Sequence, residues 1–308
     1  MGSRDISACG IVKALLAEIR FVPMTLVVLT VLLGGVVAGP TVDWGVMSLV
    51  LANSMFFLYV AHLNDTFFDL KSEYEPNRVY HNERIDESAY LARVGFGIEI
   101  PGAPLLTRQS YLIAIIVCSL IGLGFMLAVQ KTIGGYYSLL AIVGLIIALS
   151  YSAGLDKVPA VGDTMWEIGV VFALFCGYYS QKLMLDMFIV IFATPLFMAL
   201  IGVKALDGWY DIPVDNKKSK MTLPVYLYRM GWKLEHIYDL AFAFIYLCFL
   251  MLMVMAPHLL WGELTALAIT GGTHLLLRGR DMRVRLGITF VGIGIAIFIA
   301  YAIVLSIL

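Results

Sequence analysis

Asp65-Thr-Phe-Phe-Asp69-Leu-Lys-Ser-Glu73-Tyr-Glu75 and Asp207-Gly-Trp-Tyr-Asp211-Ile-Pro-Val-Asp215 are the two stretches that decide how this chain is read. Each lies at the downstream end of a long apolar run, and each sets carboxylates four residues apart. On a helix that spacing stacks them on one face, where like charges repel. Near lipid an uncompensated charge is costlier still. Two such stacks in one chain call for something positive between them.

The composition places the chain in lipid. Of 308 residues, 61% are hydrophobic and only 14% are charged. A soluble domain carries about 25% charged residues, so this chain cannot cover a globule with polar side chains. Its length is better spent on spans of about 20 residues each. The net charge of -1 implies no nucleic-acid partner. Cys9, Cys118, Cys176 and Cys248 are scattered, with no metal-ligand or disulfide spacing. Residues 1–18 lack the cleavage pattern of a signal peptide, so the first apolar run is expected to stay as a membrane helix.

Hydropathy predicts nine spans, at 14–38, 45–69, 110–130, 134–152, 165–181, 186–207, 236–256, 259–277 and 286–308. The expected fold is an all-α integral membrane protein, one domain over 1–308, with cytoplasmic cap loops at 70–109 and 208–235. Charge sets the orientation. With the N-terminus in the cytoplasm, 19 of the 21 Lys and Arg fall on the inner side, leaving only Lys131 and Lys182 outside. Both acidic stretches end even-numbered spans and therefore face the cytoplasm. Their matching placement hints at an internal duplication.

Asp65, Asp69 and Glu73 share one helix face. Read alone, that stack also suits a solvated helix end paired with Lys71 and Arg78. Asp207, Asp211 and Asp215 repeat the spacing. Pro213 has no amide hydrogen, so the helix is expected to end near it and to leave Asp215 on a loop. Asn216-Lys217-Lys218-Ser219-Lys220 follows. Carboxylates with lysines close behind suit a phosphate held through Mg2+: the carboxylates take the metal, phosphate oxygens fill its other positions, and lysines meet the remaining phosphate charge. Lys217 and Lys220 are the candidates for that last role, while Lys218, Arg229 and Lys233 fit positive-inside topology. Arg20 either snorkels to the headgroups or faces the bundle and meets the phosphate. His62, one turn before Asp65, reads as a packing residue, and His274 has no partner pattern in the sequence.

These residues resemble the UbiA superfamily of intramembrane prenyltransferases, and within it the branch that prenylates 1,4-dihydroxy-2-naphthoate. Asp65, Asp69 and Glu75 stand at the positions of that branch's first motif, and Glu73 falls where the wider family's spacing places its last acid. Asp207, Asp211, Asp215, Lys217, Lys220, Thr222 and Leu223 match the second motif. Tyr151-Ser152 resembles a Tyr-Ser/Thr pair, and Gly162-Asp-Thr-Met-Trp-Glu167 resembles the start of the family's fifth span. The departures are specific: aspartates replace both family asparagines at Asp65 and Asp207, with Asn64 next to the first. The loop 72–109 fits the family poorly.

The resemblance implies nine transmembrane helices around a central cavity, in the cell membrane. It implies transfer of a prenyl group from an isoprenyl diphosphate to a hydrophobic, aromatic acceptor of the quinone-precursor kind, with Mg2+ as cofactor. Asp65, Asp69, Glu73, Asp207, Asp211 and Asp215 would hold the metal, with Asp69 and Asp211 central to catalysis. Arg20, Arg78, Arg84, Lys217 and Lys220 would bind diphosphate, and Asn64, Tyr151 and Ser152 would line the substrate pocket. Phe56, Phe57, Phe67, Phe68, Trp209 and Tyr210 either face an allylic cation or pack between spans. Two other readings stand beside this one: a lipid-forming prenyltransferase with a glycerol-phosphate acceptor, and an ion-coupled transporter whose acids bind the ion.

Overall fold

The computed structural model describes Leu15 and residues 21–39, 41–72, 108–217, 221–255 and 260–277. Its α-helices are α1 (Phe21–Ala38), α2 (Trp44–Ser72), α3 (Arg108–Ile133), α4 (Tyr137–Ser152), α5 (Val161–Lys182), α6 (Met187–Lys217), α7 (Leu223–Arg229), α8 (Leu234–Met255) and α9 (Leu260–Leu277). A 3-10 turn, Leu155–Lys157, links α4 to α5. Among the described residues there is no strand. Eight of these helices are spans expected from hydropathy; α7 is a short helix inside the segment read as a cap loop. The expected span 286–308 and the cap segment 73–107 lie outside the described residues.

Five helices, α2, α3, α5, α6 and α8, are long and apolar enough to cross a membrane, and α1 and α4 are shorter apolar helices. The chain is built as a multi-pass membrane protein. Ile113, Leu120 and Leu127 on α3 and Leu139 and Ile146 on α4 are exposed. In a soluble protein such a surface would aggregate; here it is the face that lipid covers.

Lipid tails are as apolar as the side chains, so helices associate through close packing rather than burial from water. The sequence supplies glycine at the crossings. A Cβ on Gly34 would collide with the carbonyl oxygen of Leu174, and one on Gly177 with that of Val31, so α1 and α5 touch backbone to backbone. Gly202 meets the carbonyl of Ala241 in the same way where α6 crosses α8. A polar staple adds to the packing. Asn53 on α2 donates to the Gly122 carbonyl of α3 at 3.0 Å and accepts from the Tyr137 hydroxyl of α4 at 2.8 Å. All three groups are buried, and an unmade hydrogen bond there would be expensive.

The short turns gather at one end of the bundle. The Asp43 amide donates to Gln181 Oε1 at 2.7 Å, the Tyr136 amide to the Tyr179 hydroxyl at 3.0 Å, and the Leu185 amide to the Tyr136 hydroxyl at 3.3 Å. This joins the α1–α2, α3–α4 and α5–α6 connections. Because α2 and α6 both start at this end, both acidic stretches finish at the other one.

Pro213 does not end its helix. α6 runs four residues further, to Lys217, so Asp215 is helical rather than on a loop. A proline removes one helical hydrogen bond. Burial compensates: Ile212, one residue before it, is 2% exposed and packs with Val225, Leu227 and Ile237 from α7 and α8.

Candidate active site

The described part of the first acidic stretch, to Ser72, and the whole of the second are helical. Asp65 and Asp69 lie in the last turns of α2, and Asp207, Asp211 and Asp215 in the last turns of α6. Both motif helices pack against α5, which stands as their common neighbour. Positions 207, 211 and 215 are therefore one turn apart along the backbone of a continuous helix. For Asp69, Ser152, Asp211, Asp215 and Lys217 the backbone placement is described; Arg20, Glu73, Arg78, Arg84 and Lys220 lie outside the described residues.

Around Asp207 the side chains form a cluster that the motif spacing did not disclose. Lys204, one turn earlier on α6, places its Nζ 2.9 Å from Asp207 Oδ2. The same ammonium stands 5.9 Å from the ring centre of Tyr151, at the end of α4. Tyr151, expected from the family resemblance, thus faces the lysine one turn before the second acidic stretch. Asp163 and Glu167, one turn apart near the start of α5, lie within electrostatic reach of Lys204. Asp163 is 7% exposed and Glu167 is wholly buried.

The segment after the second stretch is tied down on both sides. The Leu223 amide donates to Asp163 Oδ2 at 2.7 Å, and the Ala160 amide donates to the Met221 carbonyl at 3.1 Å. From the far side Arg229 donates through Nε to Asn216 Oδ1 at 2.8 Å and through Nη2 to the Asn216 carbonyl at 3.2 Å. Lys217 and Lys220 are thereby bracketed in sequence between two fixed points. Arg229, assigned to topology alone from the sequence, serves as one of the ties. Thr222, 5% exposed, lies over Gly208, where a Cβ would come within 3.5 Å of its Oγ1.

At the end of α2, Asn64 and Asp65 are half-buried and His62 is 4% exposed. Phe67 stacks edge-on with Phe68 and carries the Arg108 guanidinium 4.5 Å above its ring. That cation, at the first residue of α3, is a second group that the sequence reading did not connect with an acidic stretch. Among the aromatic candidates, Trp209 donates to the Leu234 carbonyl at 2.7 Å and packs on Tyr238, while Phe56 stacks on Phe125. These serve packing. Phe57 lines an apolar cleft with Leu140, Gly144, Trp166 and Phe172, which opens between α2, α4 and α5.

Among the described residues no three His, Cys, Asp or Glu side chains converge as a metal site; that set does not contain the side chains of Asp69, Asp211 and Asp215. The donor chemistry of the two stretches is all carboxylate oxygen, which fits a hard divalent cation such as Mg2+ and not a soft one.

His274 has partners after all. Its Nδ1 is 2.8 Å from the Tyr246 hydroxyl and its Nε2 is 3.1 Å from Asp239 Oδ1, with the ring stacked on Phe242 at 4.3 Å. This polar relay fastens α9 to α8.

No protein-family model matches the sequence, and no curated protein sequence does. Solved structures do resemble it in fold. A digeranylgeranylglyceryl phosphate synthase matches with a TM-score of 0.61 at 15% identity, over 97% of this chain and 98% of that one. A UbiA homolog from Archaeoglobus fulgidus, bound to GPP and Mg2+, matches with a TM-score of 0.59 at 17% identity, over 97% and 99%. The apo form of a UbiA homolog from Aeropyrum pernix K1 gives 0.62 at 13%, over 93% and 99%. The chain therefore has the UbiA fold across nearly its whole length.

Proposed function

We propose that this chain is a Mg2+-dependent prenyltransferase that moves a prenyl group from an isoprenyl diphosphate to an aromatic, quinone-precursor-like acceptor inside the membrane. The observation that supports the reading is that Asp65 and Asp69 on α2 and Asp207, Asp211 and Asp215 on α6 lie in the last turns of two helices that finish at the same end of a UbiA-fold bundle.

Asp65, Asp69, Glu73, Asp207, Asp211 and Asp215 would hold the metal. A divalent ion held there would supply positive charge to offset that of a leaving diphosphate. Lys217 and Lys220 take up phosphate charge from the strap, and Arg20, Arg78 and Arg84 supply further cations from the segments at 1–20 and 73–107. Asn64, Tyr151 and Ser152 border the substrate. The apolar cleft beside Phe57 and Trp166 receives isoprenoid carbon and keeps water from the cation. Positive-inside charge puts this end of the bundle, and the N-terminus, in the cytoplasm.

Likeness to the digeranylgeranylglyceryl phosphate synthase favours a second acceptor class, a prenylated or free glycerol phosphate. Transport is the weaker reading, because transporter sites sit at the bilayer midplane on broken helices and these acids end continuous ones.

The test offers purified protein geranyl and longer prenyl diphosphates with dihydroxynaphthoate, 4-hydroxybenzoate or a glycerol phosphate, with and without Mg2+. The expected result is Mg2+-dependent diphosphate release with a prenylated aromatic product, lost in Asp69→Ala and Asp211→Ala by about 100-fold or more. Normal turnover in those variants overturns the metal-site assignment; a prenylated glycerol phosphate moves the acceptor to the second class.

A further inference from the structure

We infer that Lys204 is an internal cation that competes with the metal for Asp207, and that Glu167 is where its ammonium goes when the metal arrives. This rests on the functional reading above and adds a state change within the same site.

Three observations carry it. Lys204 Nζ lies 2.9 Å from Asp207 Oδ2, so one oxygen of a metal-motif carboxylate is already taken by a positive charge. A divalent ion needs that oxygen or its neighbour, and the two cations repel at such range. Glu167 is wholly buried, and neither of its carboxyl oxygens has a hydrogen-bond partner among the described residues. A buried carboxyl with two unused acceptors is an expensive group to keep unless something visits it. Finally, Lys204 and Glu167 are within electrostatic reach of each other, with Asp163 alongside Glu167 on α5. A lysine carries its charge on a flexible four-carbon stem. Rotation about that stem would carry the ammonium away from Asp207 on α6 toward Glu167 on α5.

The exchange keeps the charge of the cluster matched in both states. Without metal, Lys204 quenches the carboxylate repulsion on α6. With metal, the ammonium withdraws and Glu167 gains the donor it lacks. Lys204 is thus a positioning residue, acting on the metal site through Asp207.

Mn2+ binding, followed by loss of its free-ion electron paramagnetic resonance signal in the presence of geranyl diphosphate, tests this without reference to turnover. Lys204→Met is expected to tighten Mn2+ by on the order of tenfold, the effect of removing one competing ion pair. Glu167→Gln is expected to weaken it several-fold, because the ammonium loses its alternative partner. In the double variant the Glu167→Gln effect should vanish, since no lysine remains to be accommodated.

Weaker or unchanged Mn2+ binding in Lys204→Met overturns the inference. So does a Glu167→Gln effect of equal size in both backgrounds, which would mean that Glu167 acts on the metal directly. Should Lys204→Met fail to fold, Glu167→Gln decides alone: unchanged Mn2+ affinity overturns the exchange. Absence of Mn2+ binding in the parent chain would instead remove the functional reading itself, and this inference with it.

Discussion

Asp163, in the first turn of α5, accepts a hydrogen bond at 2.7 Å from the backbone amide of Leu223, the first residue of α7. The carboxylate lies 7% exposed, and the amide belongs to the strap that follows the second acidic stretch. Removing the acceptor leaves a part-buried N–H without that bond, at a cost of about 1 kcal/mol. Asp163→Ala should therefore lower the thermal unfolding temperature in detergent and raise amide exchange at 221–223. In the proposed reaction, its KM for prenyl diphosphate should rise, because the tie between α5 and the start of α7 is lost. Asp163→Asn retains an acceptor oxygen and should recover most of the loss. An alanine variant with parental exchange at 221–223 would show that the strap is held by other contacts.

The contact of α1 with α5 depends on two glycines facing backbone carbonyls, Gly34 at Leu174 and Gly177 at Val31. Backbone cannot yield as a flexible side chain can. Overpacking a core costs about 1–3 kcal/mol, and more where nothing can shift. Gly177→Leu should abolish the monodisperse peak in size-exclusion chromatography, while Gly124→Ala, where an added Cβ meets nothing within 4 Å, should leave it intact. Equal behaviour of the two variants would contradict the close crossing.

Asp186 titrates at the turn end of the bundle. Lys182 hydrogen-bonds to it at 2.7 Å and holds its carboxyl below the usual carboxylate range, with the Tyr178 hydroxyl, at 2.9 Å from either oxygen, acting in the same direction. A depressed folded-state value means that the contribution to stability is present above the unfolded value, about 3.9, and is lost as pH falls through the lower folded value. The parent chain should lose unfolding temperature below about pH 4 more steeply than Asp186→Asn, whose side chain does not titrate. Above about pH 5 the gap between them should be constant. Parallel curves throughout the acid range would mean that the ion pair contributes nothing.

What could be read in the sequence was whatever repeats along one helix. The stacking of Asp207, Asp211 and Asp215 needs only the helical period, and eight spans need only hydropathy. Lys204 sits one turn before Asp207 and was equally open to that reasoning, yet a lysine at the inner end of a span also satisfies topology, which masked its pairing. Pro213 misled because its missing hydrogen bond is a local cost, while the burial of Ile212 against Val225 and Ile237 is a tertiary gain. Asp163 and Glu167 took their meaning only from the strap and from α6, which reach them across the fold. Asp207 stands where the motif it resembles has asparagine, and Lys204 pairs with the extra charge.

His274 illustrates the same limit and supports a last prediction. Its partners, Tyr246 and Asp239, lie on α8, and no spacing within α9 announces them. The Asp239 carboxylate only accepts, so Nε2 carries the hydrogen and donates to it at 3.1 Å, while Nδ1 meets the Tyr246 hydroxyl at 2.8 Å. The ring also stacks on Phe242, with the planes 6° apart. α9 shares a smaller contact with α8 than α6 does, so this relay should carry much of its attachment. His274→Phe keeps the stacking and removes both ring hydrogen bonds, each worth about 0.5–1.5 kcal/mol. Hydrogen exchange should then rise in 260–277 first, with α5 and α6 unaffected. His274→Gln, which retains a donor and an acceptor but loses the ring, should fall between the two. The Tyr246→Phe change should cost little in the His274→Phe background, because their shared hydrogen bond is already gone. Additive losses in that double variant would show that Tyr246 and His274 stabilise α9 independently rather than through the bond between them.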